Sequence, residues 1–152
     1  MKRVFLFLLI SSLVSCKISA PTFQNLGQWQ ITRMTGSEIS LTNTAYLYNP
    51  NKLDGLKITG INLNLETDGK KLGTIFISDM GFTIPRMADF QIPISFIIQY
   101  NDLIGNLPSI MSMVTGKNID LLCVGDVKVG YLSIGKSIKI DQTVPINLKD
   151  IK

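Results

Sequence analysis

From Phe90 to Ile98 every second residue is large and apolar: Phe90, Ile92, Ile94, Phe96 and Ile98. A helix would scatter these five side chains around its axis, whereas an extended strand places them all on one face. Nothing else in the chain restricts the fold as strongly. Pro93 falls on the opposite face, where it withholds an N–H from the ladder, so this strand is expected to be an edge or to be bulged there. A second run, Ile39 to Asn51, alternates in the same way. Ile39, Leu41, Ala45 and Leu47 share one face, and Ser40, Thr42, Thr44, Tyr46 and Tyr48 share the other. Pro50 ends that ladder, and the amides of Asn49 and Asn51 flank the break, where they can satisfy the backbone groups it frees.

The same period recurs along the chain. Gln28 to Thr35 reads as a short strand with Trp29, Ile31 and Arg33 on one side. Leu56 and Ile58 alternate, but Ile61, Leu63 and Leu65 continue on the other parity, so Thr59-Gly60 marks a bulge. Asp68-Gly69 predicts a hairpin turn into Leu72 to Ser78. Phe82 to Pro85 is short and extended. Ile119, Leu121, Cys123, Gly125, Val127 and Val129 form a long strand; Leu132, Ile134, Ile138 and Ile140 follow, and Val144, Ile146 and Leu148 close the chain. Only Asn101 to Thr115 changes period. There Leu103, Leu107, Ile110, Met111 and Val114 recur at spacings of three and four, the apolar face of a short helix, with Gly116 as its stop.

Apolar sheet faces must be covered, and 152 residues with 45% hydrophobic content suffice for one core. The expected fold is all-β: an immunoglobulin- or fibronectin type III-like antiparallel β-sandwich with one short helix. A lipocalin-like barrel is the alternative, but the helix lies between strands instead of near an end.

The first residues read differently. Lys2 and Arg3 precede an unbroken apolar run, Val4 to Ile10, and the run through Ser15 is shorter than the ~20 residues of a bilayer-spanning helix. Leu13-Val14-Ser15-Cys16 resembles the bacterial lipobox. The resemblance implies cleavage before Cys16, acylation of that cysteine, and a lipid anchor in the cell envelope. Lys17, instead of an aspartate, follows the cysteine. By the sorting pattern of such lipoproteins, that implies the outer membrane, facing the periplasm. An ordinary secretory signal that contains a cysteine is the competing reading. Residues 1–15 are thus a signal peptide, 16–27 a lipidated tether that contains Ser, Pro and Gly and lacks sustained periodicity, and 28–149 the domain.

Removing residues 1–15 takes away two of the fifteen basic residues and none of the eleven acidic ones, leaving a charge of +2. The remaining lysines are dispersed, so nucleic acid is not an expected partner. With Cys16 acylated, Cys123 is the one remaining thiol and belongs to a core-facing series.

The chain has no histidine, so His-based triads are excluded. Asp54, Asp68, Asp79, Asp102 and Asp141 fall at turns or element ends, where capping and solvation are their ordinary roles, and no cluster of metal ligands or phosphate loop appears. A non-enzymatic role without cofactor or metal is expected. An apolar-ligand site is a second reading: Phe82, Met87, Leu103, Leu107 and Met111 could line a slot between the sheets, or plug the sandwich end. Tyr46, Tyr48 and Tyr100 could serve an envelope-protein partner or pack across strands.

Asn49-Pro50-Asn51 at a strand end, the turn at Asp68-Gly69 with Leu72-Gly73 after it, Ile84-Pro85 before the Phe90 strand, a helix, and a strand carrying Gly125 together resemble the late embryogenesis abundant type-2 family. Its domain is also called the water stress and hypersensitive response (WHy) domain. The resemblance covers about residues 28–149. It implies a fibronectin type III-like sandwich, an association with desiccation and stress tolerance, and no catalytic residues; some relatives are suspected of binding lipid.

Overall fold

The computed structural model describes residues 18–76, 81–99, 101, 118–132 and 134–146. Among these residues nine strands follow in chain order: β1 (Thr22–Leu26), β2 (Gln30–Met34), β3 (Glu38–Asn49), β4 (Leu56–Thr67), β5 (Lys70–Phe76), β6 (Thr83–Ile84), β7 (Ala88–Gln99), β8 (Ile119–Tyr131) and β9 (Ile134–Ile146). All pairings are antiparallel, in the lateral order β1-β3-β7-β5-β4-β8-β9, with β2 also on β3 and β6 on β4. The path folds over into two packed layers. β5 links them, because its first half pairs with β4 and its last residues pair with β7. Among the described residues the other flank has no ladder, so the sandwich is not closed: β1 and β9 pass close to each other there, with Gln142 Oε1 accepting from Leu26 N at 2.7 Å.

The alternating runs account for the core. Phe90, Ile92, Ile94, Phe96 and Ile98 are all buried, facing Leu41, Ala45 and Leu47 of β3 along a twelve-residue ladder. Leu63, Leu65, Leu121, Cys123, Val127 and Ile140 cover them from the second layer. Pro93 is exposed opposite Thr44, and β5 reaches only Ser95 to Ile97, so the proline sits where β7 has an open edge. The Thr59-Gly60 bulge is present as a register shift between Ile58 and Gly60. Asp68 and Gly69, with φ of 50° and 72°, form the two-residue turn whose twist suits a hairpin.

Three expectations need correction. The tether does not run to residue 27: Ile18 is buried and β1 is paired to the end of β3, so residues from Ile18 onward belong to the packed domain. A register shift between Phe23 and Asn25 lets Phe23 and Leu26, three apart, both face inward, which hides the strand from a period-two reading. The next strand is Gln30–Met34, preceded by buried Trp29, and Arg33 is exposed beside Glu38 at 3.8 Å. Leu132 and Ile134 do not face the core; the first is in the β8–β9 turn, and the core face of β9 begins at Ile138. Val144 and Ile146 continue that same strand. The helix expected at Asn101 to Thr115 lies outside the described residues, except for Asn101, which is helical. Cys16, Leu148, Tyr100, Asp79 and Asp102 also lie outside them.

Candidate functional site

The break at Asn49-Pro50-Asn51 is a junction of three stretches of chain that are remote in sequence. Asn49 is fully buried at the end of β3, because that strand continues its inward parity to its last residue. Its Nδ2 donates to the Pro85 carbonyl at 2.8 Å. Its Oδ1 accepts from Asn51 N at 3.0 Å and Asn51 Nδ2 at 2.7 Å. Asn51, also buried, turns the other way: Oδ1 accepts from Ser19 N at 2.9 Å, and Nδ2 donates to the Ser19 carbonyl at 2.8 Å. The Asn51 carbonyl accepts from Met87 N at 3.0 Å. Two buried amides thus clamp the N-terminal segment and the β6–β7 connection to the end of β3, and the polar groups of both find partners.

The apolar-ligand residues do not assemble as a set. Phe82 is half-buried and stacks on Phe90, centroids 6.3 Å apart and rings inclined by 27°. Met87 is a correction: it is 50% exposed, because a left-handed backbone (φ 48°) in the turn before β7 keeps it out of the layer between the sheets. Leu103, Leu107 and Met111 lie outside the described residues. A pocket of about 180 Å³ does occur elsewhere, on the outer surface of β3 and β7, below the ~300 Å³ at which small-molecule sites begin. Gln28, Gln30, Thr42 and Thr44 line it together with Pro93 and Ile94, so polar and apolar surface are present in similar measure.

Cys123 is fully buried, and burial pushes its thiol up to about 12, which makes it a packing residue and not a nucleophile. Tyr46 and Tyr48 are half-buried on the outer face of β3, opposite Gln91 and Asp89, as cross-strand pairs. Asp126 accepts from Ser137 Oγ at 3.2 Å. Among the described residues no three His, Cys, Asp or Glu side chains converge on a metal position. The Ser19 clamp was not visible in the sequence, since nothing relates residues thirty-two positions apart.

No protein-family model matches the chain, and no curated protein does. Solved structures do. A crystal structure of a protein from Archaeoglobus fulgidus superposes with a TM-score of 0.61 at 10% identity, covering 83% of this chain and 97% of that one. The solution structure of AT1g01470 from Arabidopsis thaliana gives 0.54 at 16% identity, over 91% and 90% of the two chains. At such identities the likeness is one of fold: an unclosed antiparallel sandwich that both neighbours share over nearly their whole length.

Proposed function

We propose that this chain is a non-enzymatic lipoprotein of the bacterial cell envelope, anchored through acyl chains on Cys16, with a late embryogenesis abundant type-2 (WHy) sandwich serving a protective or scaffolding role. The supporting observation is the Asn49–Asn51 junction, which is built on the Asn-Pro-Asn of that resemblance and holds Ser19, three residues beyond the lipobox cysteine. A protein that acts where it is anchored needs its domain fixed near the anchor, and that clamp would do so. The lack of histidine supports a role without acid–base chemistry near neutral pH. Apolar-ligand carriage has less support, because the 180 Å³ pocket is smaller than the ~300 Å³ at which ligand sites begin.

The test has two stages. Intact mass should show a diacylglycerol-modified Cys16 as the first residue, and Cys16→Ser should move the protein from the membrane to the soluble fraction. Cells without the gene should then survive drying or osmotic shock less well than cells with it. A water-soluble, unacylated wild-type chain rejects the anchor; unchanged survival rejects the stress role.

A further inference from the structure

The end of the sandwich from which the N-terminal segment emerges has an unusual surface. Strand directions bring three connections to that end: Asn51 to Gly55 between β3 and β4, Pro85 to Met87 before β7, and the turn between β8 and β9. Two large apolar residues on it, Met87 and Leu132, have left-handed backbone, at φ 48° and 53°. Glycine or asparagine ordinarily fills such positions, since a larger side chain meets steric strain there. Both residues are nonetheless apolar and turned to solvent. Leu132 is 91% exposed, and Ile134 beside it is 50% exposed. Strain combined with exposed apolar surface brings no folding benefit, which points to use of that surface.

Charge surrounds these residues. Arg86 and Asp54 pair at 3.2 Å, and Asp89 accepts from Gln24, while Lys52, Lys57 and Lys136 are exposed around the same end. An apolar tip within a lysine rim matches a phospholipid surface, with the tip at the acyl boundary and the ammonium groups at anionic headgroups.

Tether length adds a separate argument. A flexible tether of about twelve residues would leave the domain roughly 20 Å from its anchor, free to face any direction. Ile18 is buried and Ser19 is clamped by Asn51, so at most one residue separates Cys16 from the packed domain. Two residues of extended chain span at most about 7 Å.

We infer that this end, with Leu132, Ile134 and Met87 at its tip and Lys52, Lys57 and Lys136 around it, docks on the surface of the bilayer that holds the acyl chains, so that the sandwich stands on the membrane. The inference rests on the proposed acylation of Cys16. It goes beyond that reading in assigning a face and an orientation.

The test uses the full acylated chain in vesicles of phosphatidylethanolamine and phosphatidylglycerol, some with brominated acyl chains that quench nearby indoles. Leu132→Trp places a reporter at the tip without disturbing the core. Met34→Trp places one on an exposed residue at the opposite end, about 35 Å away along β3. The emission each substitution adds over the unsubstituted chain is compared, and the mass of the same sample reports acylation. The expected result is loss of about half the added emission for Leu132→Trp and little loss for Met34→Trp, because interfacial insertion reaches only ~5–10 Å. Equal, small quenching at both positions in a sample with acylated Cys16 overturns docking and leaves the anchor standing. An unmodified Cys16 overturns the anchor, and docking with it.

Discussion

Replacing Asn49 by alanine tests whether the Asn-Pro-Asn junction holds the sandwich end together. The substitution removes three hydrogen bonds: Nδ2 to Pro85 O, and Oδ1 from Asn51 N and from Asn51 Nδ2. Their costs differ. Asn51 Nδ2 keeps its bond to Ser19 O, and Pro85 lies on an exposed turn where water can reach its carbonyl. The Asn51 N–H is buried and left without its partner, so it accounts for most of the penalty. With about 1–3 kcal/mol for that group and about 1 kcal/mol for the other two together, Asn49→Ala should cost about 3 kcal/mol. For a domain of this size that lowers Tm by roughly 10 °C. Asn51→Ala should cost about 1 kcal/mol, since its backbone N–H stays bonded to Asn49 and the exposed Ser19 groups turn to water. Urea unfolding followed on the single, buried Trp29 measures both. A loss under about 1 kcal/mol for Asn49→Ala, or the reverse order of the two variants, would refute this account of the junction.

Two further predictions concern β8. A Cβ on Gly125 would collide with the Asn62 carbonyl oxygen at φ 147°, so Gly125→Ala should cost more than about 4 kcal/mol or prevent folding, as read by circular dichroism and urea titration. Cys123 should resist alkylation at pH 8 in the folded Cys16→Ser chain and react on unfolding. Its folded-state value near 12 is above the 9.0 of the exposed thiol, so its contribution is full below pH 9 and is lost as pH rises toward 12, at up to about 1.4 kcal/mol per unit. Cys123→Ala should remove that part of the alkaline slope, and an unchanged slope between pH 9 and 12 would count against the burial argument.

The strands that could be read from sequence are those with two in-phase faces and turn chemistry at their ends. Phe90 to Ile98 and the Asp68-Gly69 hairpin were legible because burial and local backbone preference agree there. β1 was not, because its bulge puts Phe23 and Leu26 in phase at a spacing of three. Leu132 misled for a related reason: its parity matches Ile138 and Ile140, but parity does not say where a layer ends. The amide pair at Asn49 and Asn51 was recognised as a way to satisfy a broken ladder. That it holds Ser19 could not be deduced, since such a contact depends on how the chain returns and not on a local pattern.

Leu132, Met87 and the Ser19 clamp fall at one end of the molecule, and a physical reason connects them. Across the middle of the sandwich, apolar side chains meet one another, so hydrophobic period and structure coincide. At the end near Ser19 the core stops, and backbone groups of the N-terminal segment, the end of β3 and the β6–β7 connection must be satisfied without a ladder. Asn49 and Asn51 do this with side-chain amides, which fix direction as well as distance because donor and acceptor sides differ. An apolar plug could seal that end equally well, but would leave the N-terminal segment able to rotate. The amide clamp specifies how residue 19 leaves the domain, and with it which face an anchor three residues earlier would turn toward its membrane.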